Sequence, residues 1–141
     1  KYVKAPYGPY ANNLRHVLRD VNGHLIEGYT ADGDDPTEQV RLLSGAVESS
    51  DAFLAQHPDT LRRLSQVSEL VEGFETPFGL ELLATAHWVI FEERPSSERQ
   101  IEEAIYAWSP RKAQFTPAQI AIAVAQLRAA GFASEPASQC A

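Results

Sequence analysis

LVEGFETPFGLELLATAHWVIFE, residues 70–92, holds the densest apolar run of this 141-residue chain and both sides of one sharp corner. Gly73 is free to take positive φ and end a preceding helix. Thr76 followed by Pro77 has the chemistry of an N-cap and a first helical position, so a new helix starts there. From Leu80 to Phe91 only Glu81, Thr85 and His87 interrupt the apolar residues. That pattern covers more than one face and predicts the buried axis of the fold, over about 77–92. It is too short to span a bilayer, and it is bounded by Glu75, Glu92 and Glu93.

Working outward, helices are read from caps and spacing. Thr60–Glu72 places Leu61, Leu64, Val67 and Leu70 at helical intervals, a face expected to lie against the central helix. Ser97-Glu98-Arg99-Gln100 has the form of a capping box, with Ile101, Ile105 and Trp108 as the inward stripe. Phe115-Thr116-Pro117-Ala118-Gln119-Ile120 combines a capping box, an N1 proline and a hydrophobic staple. Its helix should close at Gly131, with Leu127 and Phe132 as the apolar pair of a Schellman ending. Between these two helices SPRKAQ, 109–114, reads as a basic connector.

The N-terminal half is less regular. Residues 1–13, KYVKAPYGPYANN, suggest an extended, irregular arm in which at least one of Tyr2, Tyr7 and Tyr10 anchors to the core. Leu14–Val21 is a short amphipathic helix, and HLIEGYT, 24–30, a short strand broken at Gly28. Asp35-Pro36-Thr37-Glu38 resembles a capping box opening a short helix through Leu43, and Ala46–Ala55 is another helix. The fold class is therefore mostly α, a compact multi-helix domain around the central helix, with a short strand near 24–30 as a minor α+β element. One domain over 1–132 and a frayed tail over 133–141 are expected.

Composition narrows function. A formal charge of −7 and a pI near 5.0 argue against general attraction to phosphates or anionic lipid. A single cysteine, Cys140, provides neither a disulfide framework nor a cysteine zinc site, and a cytoplasmic setting is expected. With no initiator Met and no signal-peptide pattern, the chain reads as a piece of a longer protein. Between Asp20 and Asp59 nine carboxylates face one base, Arg41, whereas the remainder is close to neutral. Helix caps account for about a third of those carboxylates, leaving Asp32, Asp34, Asp35 and Glu38 as a surplus suited to a basic partner. No phosphate loop, HExxH, serine elbow or Ca²⁺ loop is present, and His16, His24, His57 and His87 are scattered. His87 reads as a structural histidine. No catalytic residue, cofactor or metal ligand is assigned.

KAPYGPYANNLRHVL (4–18), GHLIEGY (23–29) and especially GFETPFGLELLATAHWV (73–89) resemble the C-terminal domain of the DarG antitoxins, with a weaker match through WSPRKAQFTPAQIAIAVAQLRAAGF (108–132). The resemblance implies a domain that binds DarT, a toxin that uses NAD to ADP-ribosylate thymidine in single-stranded DNA. It also implies that the DNA-repairing macrodomain hydrolase of the family lies outside this chain, so that the chain itself is not an enzyme. Charge and position, not the family motif, select the partner-binding candidates: Asp32, Asp34, Asp35 and Glu38 in place of phosphates, Tyr7, Tyr10 and Tyr29 in place of stacked bases. The expected assembly is a one-to-one heterodimer with the toxin, with no direct nucleic-acid or membrane contact. A helix-turn-helix-like DNA-binding module using Arg111 and Lys112 is the alternative, and an ADP-ribose-removing hydrolase using His16 and His24 the least favoured.

Overall fold

Thr76 does begin a helix: its hydroxyl accepts the Gly79 N–H at 3.0 Å, its carbonyl accepts the Leu80 N–H at 2.9 Å, and Pro77 occupies the first turn. The computed structural model describes residues 1–29 and 39–133. In chain order the elements are β1 (Val3–Ala5), β2 (Gly8–Tyr10), α1 (Asn13–Val21), β3 (Ile26–Glu27), β4 (Arg41–Leu42), α2 (Ala46–Leu54), α3 (Pro58–Val71), α4 (Pro77–Trp88), α5 (Glu98–Trp108) and α6 (Pro117–Ala129). A π-helical turn, Val89–Glu93, prolongs α4, and a 3-10 turn, Pro110–Gln114, joins α5 to α6. Among the described residues the fold is mostly helical with two small antiparallel strand pairs, β1–β2 and β3–β4.

The described residues form two compact units: Lys1–Tyr2 with those between Ala11 and Leu64, and Val3–Tyr10 with residues 65–133. The second unit owns the hydrophobic core. Leu82, Leu83, Ala86 and Val89 meet Ile101, Ile105 and Trp108 of α5, Phe115, and Ile120, Ala123, Val124 and Leu127 of α6. These spacings put one face of each helix inward. Over residues 79–91 the central helix is buried or half-buried around most of its girth, with Thr85 fully enclosed as well, and only a narrow strip through Leu80, Ala84 and Phe91 is exposed. The local signals at its neighbours hold. Thr116 and Gln119 form both arms of a capping box, and Gly131, at φ 77°, ends α6 with Phe132 N–H bonded to the Leu127 carbonyl at 2.8 Å. At α5 the box is half made. Ser97 Oγ accepts the Gln100 N–H, while the Gln100 side chain turns to the Ser96 N–H and hydroxyl. Thr116→Ala should cost about 1 kcal/mol of stability, read from the urea midpoint, as for other N-caps.

The corner before α4 is tight. A Cβ on Gly79 would stand 2.6 Å from the Phe74 carbonyl oxygen and 2.9 Å from its Cα. Helix propensity alone would make Gly79→Ala stabilising by about 1 kcal/mol. The backbone collision is the larger effect, so a net loss of about 1–3 kcal/mol is expected. A raised urea midpoint for this variant would show that the corner has slack.

Three expectations are corrected. Residues 1–13 are extended but not irregular: β1 and β2 form a hairpin with Val3 opposite Tyr10 and Ala5 opposite Gly8. Arg41–Leu42, expected in a helix running to Leu43, is a strand paired with Ile26–Glu27. So short a helix gains too few hydrogen bonds to offset its nucleation, whereas the strand pairing completes the pattern that β3 needs. The cap expected at Asp35 lies outside the described residues. Finally, α3 forms as expected, but only Leu70 and Val71 of its apolar residues pack on the core, leaving Leu61, Leu64 and Val67 exposed. No helix among the described residues is long and apolar enough to cross a membrane.

Candidate functional site

Glu81 and Thr85 are four residues apart on α4 and so point the same way. Trp108, Lys112 and Phe115 recur at similar intervals from the end of α5 through the 3-10 turn, which sets a lysine into an apolar row. The two rows converge. Lys112 has no exposed surface, and its ammonium donates to Glu81 Oε1 at 2.8 Å, Thr85 Oγ1 at 3.0 Å and the Tyr7 carbonyl at 3.1 Å. A lysine ammonium has three N–H donors, and all three are used. Thr85 donates its own proton to the Glu81 carbonyl at 2.7 Å, leaving its oxygen's lone pairs toward Lys112. Gln114 Nε2 donates to Glu81 Oε1 at 3.3 Å, and Arg111 approaches the same carboxylate at 3.5 Å.

This knot clamps the hairpin turn. Three consecutive carbonyls are each taken by a side chain from one short segment: Ala5 by Trp108 Nε1 at 2.7 Å, Pro6 by Ser109 Oγ at 3.2 Å, Tyr7 by Lys112. Gly8 lies buried beside Thr85, in the positive-φ region at 143°, and Lys4 pairs with Glu93 at 2.9 Å. The turn is thus held by its backbone, and the Tyr7 ring is left outside, 68 % exposed, with the Arg111 guanidinium 4.8 Å from its centroid. An aromatic held over a cation in this way is a rigid, amphipathic contact group.

The candidate residues chosen from the sequence are distributed as follows. Asp32, Asp34, Asp35 and Glu38 lie outside the described residues. Tyr7 and Tyr10 are exposed on the hairpin, and Tyr2, outside it, is exposed as well, so none of the three serves as a buried anchor. Tyr29 belongs to the other unit, where its N–H donates to Asn22 Oδ1 at 3.3 Å. Lys112 and Glu81 were missed as a pair. Lys112 is no open cation, being consumed by the knot, while Arg111 is half exposed and leans on Glu81 and the Tyr7 ring. The signal was available in the Trp108–Lys112–Phe115 spacing, where a lysine interrupts an apolar row.

His87 is half-buried between Phe91, stacked at 5.9 Å, and Phe132, edge-on at 6.3 Å. Burial holds its pKa below the ordinary histidine value of 6.5. The unfolded chain therefore binds this proton more readily, and the His87 contribution is level above pH 6.5 but turns unfavourable as pH falls below it. Comparing urea midpoints from pH 7.5 to 5.5, His87→Gln should show a shallower loss than the parent chain. Among the described residues no group of three or more His, Cys, Asp or Glu is placed to hold a metal ion.

No protein-family model matches the chain. It is 39 % identical over 119 residues to the DNA ADP-ribosyl glycohydrolase of Thermus aquaticus, covering 84 % of this chain and 32 % of that protein. Proteins of the same name from Mycobacterium tuberculosis and Mycobacterium bovis are 31 % identical over 117 residues, 79 % of this chain and 33 % of theirs. The expectation that this chain is not an enzyme is thereby overturned, since the relatives that cover most of it are named for an enzymatic activity. The chain is thus similar to DNA ADP-ribosyl glycohydrolases over most of its own length and spans about a third of theirs.

Proposed function

We propose that this chain is the part of a DarG-type protein that binds and neutralises a DarT-like DNA ADP-ribosyltransferase, in a one-to-one complex, by occupying the toxin's single-stranded-DNA cleft. The observation that carries the reading is the charge asymmetry: nine carboxylates against one base between Asp20 and Asp59, in a chain similar to proteins that act on ADP-ribosylated DNA. A cleft that grips DNA is cationic and offers surfaces for stacking bases. Carboxylates of Asp32, Asp34, Asp35 and Glu38 stand in for phosphates, and the exposed rings of Tyr7 and Tyr10 are available for stacking. Tyr29 belongs to the same proposed set.

The test is binding of the chain to catalytically inactive cognate toxin in competition with labelled single-stranded DNA. Changing Asp32, Asp34 and Asp35 together to Asn should weaken binding by about tenfold or more at low salt and flatten its dependence on ionic strength. Unchanged affinity and unchanged salt dependence would exclude acidic mimicry. The relatives' name favours a second reading, removal of ADP-ribose from DNA. Incubating the chain with DNA carrying ADP-ribosylated thymidine and following release of ADP-ribose tests that reading directly.

A further inference from the structure

The first unit contains helices without a core. Among its described residues only Ala11 and Ala46 are buried; α1 has no buried residue, and α2 has Ala46 alone. Yet α1 is strongly two-sided. Leu14, Val17 and Leu18, at i, i+3 and i+4, make one apolar stripe and are 45 %, 51 % and 38 % exposed, with Arg15, His16, Arg19 and Asp20 on the other side. Val47 and Phe53 of α2, Leu42 of β4 and Leu61 and Leu64 of α3 are exposed as well. A nine-residue helix is too short to persist in water on its own hydrogen bonds; burial of its apolar face normally supplies the missing stability. Here the described chain covers that face only in part: Val21 is half-buried, and none of Leu14, Val17, Leu18 and Val21 is buried outright.

We infer that α1 and α2 take up their fixed structure on a protein partner that offers an apolar groove rimmed by basic side chains, with Leu14, Val17 and Leu18 of α1 as the anchor. The inference rests on the proposed toxin-binding reading and adds to it a second, apolar contact that acidic mimicry does not supply. Charge selects the occupant. The segment Asp20–Asp59 that follows the stripe carries nine carboxylates and one base. A second copy of this chain would bring the same negative segment against itself, and nucleic acid or anionic lipid would be repelled likewise. A protein that handles DNA combines the required positive rim with a folded surface into which an amphipathic helix can lay its stripe. The two helices α1 and α2 would then order as they bind, with the cost of ordering set against the apolar area that they bury.

Amide hydrogen exchange of the whole chain, alone and with inactive cognate toxin, provides the test. Alone, α1 and α2 should exchange within about tenfold of unstructured peptide while α4 and α6 are slowed by about a thousandfold or more. With toxin, α1 should slow by about a hundredfold. Val17→Asp should weaken toxin binding by about a hundredfold while the urea midpoint reported by α4 and α6 stays in place. Protection of α1 in the free chain equal to that of α4 would overturn the inference, as would protection that grows with the chain's own concentration. Toxin binding that leaves α1 exchange unchanged would overturn it and leave the toxin-binding reading standing. Absence of any toxin binding would sink both.

Discussion

Lys112→Ala is expected to cost about 3–5 kcal/mol, a large share of the stability of a domain of this size. The loss arises less from the missing attraction than from what remains. Glu81, whose side chain is 11 % exposed, keeps a carboxylate with only the more distant Gln114 and Arg111 groups beside it. The Tyr7 carbonyl and the Thr85 hydroxyl lose their shared donor, and unmade buried hydrogen bonds carry the desolvation cost of each group. Lys112→Met preserves most of the side-chain volume, so a similar loss there would assign the effect to charge and hydrogen bonding rather than to a cavity. Adding Glu81→Leu to Lys112→Met should restore a substantial part, because removing both ends of a buried pair leaves no orphaned charge. Urea unfolding of the four chains measures all of this. A loss below about 1 kcal/mol for Lys112→Ala would mean that water replaces the ammonium freely.

The hairpin gives this variant a second readout. Release of the Tyr7 carbonyl should loosen the turn that displays the ring, while the Ala5 and Pro6 carbonyls keep their bonds to Trp108 and Ser109. Tyr7→Ala, by contrast, removes a ring that is mostly in solvent and should leave the unfolding transition within about 0.5 kcal/mol of the parent.

What could be read from the sequence was local. Thr76-Pro77, Thr116-Pro117 with Gln119, and Gly131 each carry their structural meaning within a few residues, because a cap is satisfied by the turn beside it. The alternation of inward residues in α5 and α6 was legible for the same reason. The hairpin was not: APYGPY has two prolines and no period-two pattern, and its pairing is stabilised by Trp108, Ser109 and Lys112, about a hundred residues away. Nor does helical spacing say which apolar stripe finds a partner. Leu61, Leu64 and Val67 follow the same rule as Ile101 and Ile105, yet the first three are exposed and the last two buried. Of the candidate site, the exposure of Tyr7 and Tyr10 ran against the expectation that one of these tyrosines anchors in the core, and nothing local marked Arg111 as the support of Tyr7.

Phe115→Ala should cost about 3–5 kcal/mol, as large aromatic truncations in cores do. Phe115 is 1 % exposed and stands where the 3-10 turn passes into α6. Its ring meets Phe78 edge-on at 5.1 Å and lies 5.4 Å from the Lys112 ammonium, and its carbonyl accepts the Tyr106 hydroxyl at 2.8 Å. Truncation therefore opens a cavity between α4 and α6 and removes one wall of the space around Lys112. A backbone relaxation that closed the cavity would pull on the capping box at Thr116, the next residue, so collapse is resisted and the upper part of the range is expected. The same change made at Phe53, in the unit without a core, should cost less than about 0.5 kcal/mol in the free chain, since its ring is 61 % exposed. Equal losses at the two positions, measured by urea unfolding, would mean that both units share one cooperative core. A large loss at Phe115 alone would place the chain's intrinsic stability in α4, α5 and α6, with the remainder dependent on what it binds.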